Sequence, residues 1–121
     1  MSSDVYLYFH EDVERTKSIE QVRVGHLGVL HYFGFDAVEA VRRVLRHNPV
    51  LTKDAIDRIK LILRHARASI AIDAALTEEA FTNAYGYLGP HGIEWDDVAT
   101  ESEIEEELQP LIGKYVALGF D

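Results

Sequence analysis

Residues 36–67 read DAVEAVRRVLRHNPVLTKDAIDRIKLILRHAR and carry the strongest structural signal in the chain. Asp36 and Thr52 each precede apolar residues at helical spacing, and either side chain can cap the first turn of a helix. The Asn48-Pro49 pair ends the first helix, because the residue before a proline is pushed out of the helical region. Two amphipathic helices joined by a short connection predict an αα-hairpin, which we call the central hairpin.

Ahead of the central hairpin, the sequence VYLYF at residues 5–9 has the pattern of a β-strand. Its residues are β-branched or aromatic, and alternate ones fall on the same side of a strand. A single strand cannot satisfy its own backbone hydrogen bonds, so it needs a partner. The candidates are residues 21–24, residues 115–120 or a second copy of the chain, and the last of these leaves room for a homodimer.

Residues 18–35 fit a helix and a strand almost equally well. Ser18 and Gln21 match a capping box and favour a helix. Against this, Gly25 and Gly28 each cost about 1 kcal/mol in a helix interior. We favour a helix by a small margin.

The chain after the central hairpin carries more helical signals. Thr77 opens a predicted short helix, and Thr100 with Glu103 forms a second capping box. Beyond it, with a kink expected at Pro110, apolar residues recur at helical spacing: Ile104, Leu108, Leu111, Tyr115 and Leu118. The sequence therefore predicts a mainly α fold: a small helical domain of four to six helices, with the short N-terminal strand and at most a minor β-pair.

Length and composition narrow the class of protein. A chain of 121 residues that is 47% hydrophobic fits a single domain, residues 1–121. It has no cysteine, which excludes disulfides, cysteine-based metal sites and a thiol nucleophile. No stretch without charged residues, including residues 24–35, reaches the roughly 20 residues of a membrane span. Because the first residues are acidic, unlike a signal peptide, we expect a cytoplasmic protein without a membrane segment.

Charge is distributed unevenly along the chain. The net charge is −9, yet residues 42–67 alone carry +6 and residues 68–121 carry −11. The basic and acidic regions could face each other and cancel inside the fold. Alternatively, the acidic region could point outward and bind a basic partner.

The outward orientation leads to our first functional hypothesis. Eight acidic residues and no basic ones lie between residues 94 and 113, and Trp95 within them could anchor an interface. We therefore predict a small acidic protein-binding module, such as an inhibitor or immunity-type antidote of a basic nuclease. The candidate partner-binding residues are Trp95, Asp96, Asp97, Glu103, Glu105, Glu106 and Glu107.

An alternative hypothesis is a nucleic-acid-binding regulator that uses the central hairpin. Its candidate residues form basic stripes on the two helices: Arg42, Arg43, Arg46, Lys60 and Arg64. Asp54 and Asp57 weaken this hypothesis, since they open the second helix and would repel phosphate.

A second alternative is a histidine-dependent or metal-dependent enzyme, suggested by six histidines. His26 and His31 lie about 140° apart around a helix, and no His-Glu-x-x-His motif occurs. No serine lies in a nucleophile-elbow context. We therefore predict no catalytic residue, no metal ligand, no cofactor and no enzymatic activity.

Overall fold

The structure is a computed structural model that describes residues 4–27, 30, 36–74 and 98–121. Two strands precede two helices, and a third helix is followed by a third strand. We number these elements in chain order: β1 (Asp4–His10), β2 (Ser18–His26), α1 (Ala37–His47), α2 (Lys53–Ala74), α3 (Glu101–Leu108), a 3₁₀ turn (Gln109–Leu111) and β3 (Tyr115–Phe120).

The three strands form one antiparallel sheet in the order β2-β1-β3. Leu7 in the central strand lies opposite Val22 of β2 and Leu118 of β3. On β1, Val5, Leu7 and Phe9 are fully buried, whereas the residues between them are half-buried on the other face. One face of the sheet therefore forms the core together with the apolar faces of the helices.

The prediction of a mainly α fold is wrong. The described residues form three helices and a three-stranded antiparallel sheet, which is a small α+β fold. Ser18–His26 is a strand and not a helix, since pairing with β1 satisfies its backbone and buries Val22 and Val24. Both chain segments proposed as partners of β1 do pair with it, one on each side.

The C-terminal prediction was also wrong in extent. The last helix ends at Leu108, and Pro110 lies in a 3₁₀ turn. Gly113 then adopts a φ of +93°, a conformation that favours glycine. This residue turns the chain, so that residues 115–120 run as β3 and do not continue the helix.

The central hairpin forms where the sequence predicted it. The Asp36 carboxylate accepts a hydrogen bond from the Glu39 N–H at 3.0 Å, and the Thr52 hydroxyl accepts one from the Ala55 N–H at 3.1 Å. The first helix ends at His47, directly before Asn48-Pro49. Six residues of the two predicted apolar stripes are buried, and the other two, Val44 and Ile62, are partly buried against the core. The buried six are Val38, Val41, Leu45, Ile56, Ile59 and Leu63.

The connection between the two hairpin helices pairs with the beginning of β3. Leu51 donates its N–H to the Lys114 carbonyl and accepts a bond from the Gly113 N–H, both at 2.9 Å. The Val116 N–H donates to the Pro49 carbonyl at 3.0 Å. These backbone bonds fix the hairpin against the sheet.

Two further predictions concern a short helix in the middle of the chain and the absence of a membrane-spanning segment. The short helix predicted to begin at Thr77 lies outside the described residues. Within the parts that the structure describes, no helix is long and apolar enough to cross a membrane.

Candidate functional site

The capping box predicted at the start of α3 is present. The Thr100 hydroxyl accepts a hydrogen bond from the Glu103 N–H at 3.0 Å, and the Glu103 carboxylate accepts one from the Thr100 N–H at 3.3 Å. Ile104 and Leu108 are fully buried and fix which side of the helix faces the core. The Glu103 side chain is therefore engaged in the cap.

Along one side of α3, acidic residues form ion pairs with basic residues of α2. Arg64 contacts Glu101 through two hydrogen bonds, Nε–Oε1 at 2.7 Å and Nη2–Oε2 at 2.8 Å. Glu105 lies between Lys53, with Nζ–Oε1 at 2.7 Å, and Lys60, with Nζ–Oε2 at 3.4 Å. We call these five residues the charged seam. In the charged seam, the positive charges of three α2 residues lie next to the negative charges of two α3 residues and partly neutralise them.

The ion pairs of the charged seam shift the pKa of Glu101, Glu105, Lys53 and Arg64. The hydrogen bond from Arg64 holds the pKa of Glu101 below its ordinary value of 4.5. The hydrogen bond from Lys53 does the same for the pKa of Glu105, with a further contribution from Lys60. Conversely, the pKa values of Lys53 and Arg64 are raised by these carboxylates. The Arg64–Glu101 and Lys53–Glu105 pairs thus favour the charged form of both partners.

This geometry predicts how stability depends on pH. A carboxylate with a lowered folded-state pKa stabilises the fold above its ordinary pKa and loses that contribution as the pH falls. We expect the melting temperature to decline from about pH 5 downward, because the unfolded carboxylates take up protons near pH 4.3. In E101Q/E105Q the decline below pH 5 should be shallower than in the wild type.

Thermal unfolding followed by circular dichroism between pH 3 and pH 7 measures this difference. The matched control is E106Q/E107Q, which removes two neighbouring carboxylates that form no ion pair within the described residues. It should keep the wild-type decline. Equal slopes for wild type and E101Q/E105Q would contradict a stabilising role of the charged seam.

The basic stripes predicted to bind nucleic acid are largely occupied by local partners. Arg42 Nη1 and Arg43 Nε contact the two carboxylate oxygens of Glu39 at 3.2 and 3.4 Å. Lys60 and Arg64 belong to the charged seam. Arg46 is exposed in the last turn of α1. The structure therefore leaves less free positive charge on the hairpin than the sequence suggested.

On the other side of α3, acidic residues face β2 across a groove of about 260 Å³. Val22 and Leu111 are buried and form an apolar floor, while Glu20, Glu106 and Glu107 are exposed at its sides. We call this the acidic groove, and its lining residues are Glu20, Gln21, Val22, Glu106, Glu107, Pro110 and Leu111. Within the described part of the chain, none of its three carboxylates forms an ion pair.

The acidic groove runs beside the outer edge of β2. The Gln21 N–H donates to the Glu20 carboxylate at 3.2 Å, so this N–H points away from β1. Ser18, Ile19 and Gln21 are exposed. We call residues 18–22 the open edge, because no backbone group of the described residues pairs with their outer side.

The structure brings together only part of the predicted partner-binding set. Glu106 and Glu107 lie in the acidic groove, whereas Glu103 caps α3 and Glu105 belongs to the charged seam. Another three predicted residues lie outside the described residues: Trp95, Asp96 and Asp97.

Sequence reasoning missed Glu20, which lies opposite Phe9 in the β1–β2 register. The alternation of Val22 and Val24 with polar neighbours was the available signal. If residues 18–26 are assigned to a strand, Glu20 falls on the same face as Val22. This assignment would have made Glu20 a candidate neighbour of the C-terminal acidic helix.

Among the residues that the structure describes, no three His, Asp or Glu side chains are grouped closely enough to hold a metal ion. The structure therefore offers no described site on which the metal-dependent alternative could be built.

Comparison with other proteins adds no relative. The chain matches no protein-family model, no curated protein and no solved structure. Functional inference accordingly depends on the geometry of the acidic groove and the open edge.

Proposed function

We propose that this protein is a small acidic binding module that holds a basic segment of another protein in the acidic groove. The observation that carries this proposal is the contrast between the two sides of α3. On one side Glu101 and Glu105 are matched by basic residues of α2. On the other side, Glu106 and Glu107 face Glu20 with no cation among the described groove residues.

The chemistry of the acidic groove fits Lys and Arg side chains. Glu107 lies four residues after Glu103 on α3, and like charges at this spacing repel by a few tenths of a kcal/mol, so a bound cation relieves an existing cost. The apolar floor of Val22 and Leu111 suits the methylene stems of Lys and Arg, whose charged ends reach the carboxylates at the rim. The net charge of −9 adds long-range steering toward a basic protein.

A basic enzyme such as a nuclease is a partner of this kind. The protein would then act as its inhibitor or antidote, by covering a cationic surface that the enzyme needs for its own substrate. We further propose that it does so in the cytoplasm. A lysine-rich peptide carries the basic side chains that the groove is proposed to bind. Its binding therefore tests the proposal without the natural partner.

The probe is an eight-residue peptide in which Lys alternates with Thr, labelled for fluorescence anisotropy. We expect the wild-type protein to bind it and E106Q/E107Q to bind it about tenfold or more weakly, since each 1.4 kcal/mol of lost interaction is a factor of ten. A peptide with Glu in place of Lys should not bind.

The matched control is E14Q/D121N, which removes the same two charges from exposed positions outside the groove lining. It should retain binding within about twofold, since screening weakens distant charges at about 0.15 M salt. If the control loses as much affinity as E106Q/E107Q, binding reflects net charge alone and the proposed groove is wrong.

A further inference from the structure

β2 is an edge strand of the described sheet, and among the described residues no backbone group pairs with the outer side of its open edge, next to the acidic groove. The Gln21 N–H donates to the Glu20 carboxylate, one residue away. Ile19 lies at an irregularity in the β1–β2 register, since Phe9 pairs with Glu20 and His10 pairs with Ser18. Gln21 and Ile19 are exposed, Ile19 with 38% of its surface accessible. An edge with free donors and acceptors is a template for another strand.

The chain itself already pairs with β2 just beyond the open edge, at Val24 and Gly25. Gly25 forms an antiparallel bridge with Val98, and the Ala99 N–H donates to the Val24 carbonyl at 2.8 Å. The outer side of β2 therefore accepts a backbone neighbour beyond the open edge. A further segment beside residues 18–22 would continue the same pattern.

From these contacts we infer that the basic partner segment binds as an added β-strand on the open edge. This inference rests on the proposed function and adds the conformation of the partner. Because Glu20 lies on the same face of the sheet as Phe9 and Val22, alternate side chains of the added strand would point toward Glu106 and Glu107. The partner segment therefore has Lys or Arg at every second position.

The same geometry disfavours a second copy of the chain as the occupant. Antiparallel pairing of two open edges would bring two acidic grooves together on one face of the joined sheet. Like charges brought together in this way repel. Sedimentation of the free protein should therefore give a monomer at micromolar concentration, and a dimer that excludes the peptide would overturn the inference.

The first test uses backbone methylation of the same eight-residue Lys/Thr peptide. In a strand, alternate N–H groups point to opposite edges. One peptide is therefore methylated at the backbone nitrogen of every Lys and the other at the backbone nitrogen of every Thr, which blocks opposite edges of the strand. We expect one methylated peptide to bind about tenfold or more weakly than the other, because it loses its backbone bonds to β2. Equal affinities of both methylated peptides would overturn strand addition, while binding of the unmodified peptide would still support the proposed function.

A second test changes the protein at Gln21. Q21P removes an N–H that points away from β1 and keeps the bonds between β1 and β2, because proline is tolerated on an edge strand. We expect it to weaken peptide binding about tenfold relative to Q21A, which also loses the Gln21 side chain but keeps the backbone N–H. Equal binding by Q21P and Q21A would overturn the inference.

A third readout needs no variant. Hydrogen exchange of the wild-type protein should slow at the Gln21 amide when the unmodified peptide is bound. If the peptide binds and this amide gains no protection, the partner is not an added strand. If the peptide does not bind at all, the proposed function itself fails.

Discussion

Replacing Phe9 with alanine is expected to lower the free energy of unfolding by about 3–5 kcal/mol. Phe9 is fully buried in the central strand, where it pairs with Glu20 on one side and Val116 on the other. Its ring contributes to the core shared by the sheet and the helices. Removing the ring loses its transfer free energy and leaves a cavity that a sheet bonded on both sides cannot close.

Urea unfolding followed by circular dichroism gives this difference from the shift in midpoint at constant slope. Val13, in the turn after β1, is 65% exposed, so V13A should stay within about 0.5 kcal/mol of the wild type. A cost below about 1 kcal/mol for F9A would mean that β1 is not at the centre of the core.

The second large effect is expected at Leu51, in the connection between the hairpin helices. Its side chain is fully buried, and its backbone N–H and carbonyl both bond to the chain just before β3. L51A should cost about 2–5 kcal/mol, the range for a buried leucine whose surroundings cannot collapse. Since small domains have about 5–15 kcal/mol of stability in total, either substitution removes a large part of it.

Leu61 offers the matched comparison, because it is 56% exposed on α2. L61A removes the same atoms from a position in contact with water, so its expected cost is less than 1 kcal/mol. The same urea titration measures both variants. Similar costs for L51A and L61A would contradict the close packing of the connection against the sheet.

The parts of the fold that the sequence predicted correctly depend on neighbouring residues. Asp36, Thr52 and Thr100 cap helices as expected, because a cap involves residues only three positions apart. Asn48-Pro49 ends α1 for an equally local reason. Such signals determine where helices begin and end.

The errors concern strands, whose stability comes from partners distant in sequence. Residues 18–26 carry both helical and strand patterns, and only pairing with β1 decides between them. Residues 115–120 fit both a partner strand of β1 and a continuation of the last helix, because Tyr115 and Leu118 continue the helical spacing. The φ of +93° at Gly113 breaks that continuity, and a glycine in the sequence does not reveal the conformation it adopts.

In the candidate site, too, the sequence predicted the local features but not those that depend on tertiary packing. The sequence located the acidic helix and raised internal cancellation of charge as an alternative, and Glu101 and Glu105 do pair with α2. It did not indicate which glutamates point outward, since that depends on which face of α3 packs on the core. Glu20 joins the groove only through the strand register.

The pairing of β1 with β3 joins Val5 to Phe120, close to the two ends of the described chain. On a ribosome, β1 and β2 emerge before β3 and can form their local hairpin. The central strand then keeps one side unpaired until β3 has been synthesised. Contacts this distant in sequence slow folding, because a long loop must close before they form. We therefore expect a refolding rate closer to that of all-β domains than to that of helical bundles of similar length.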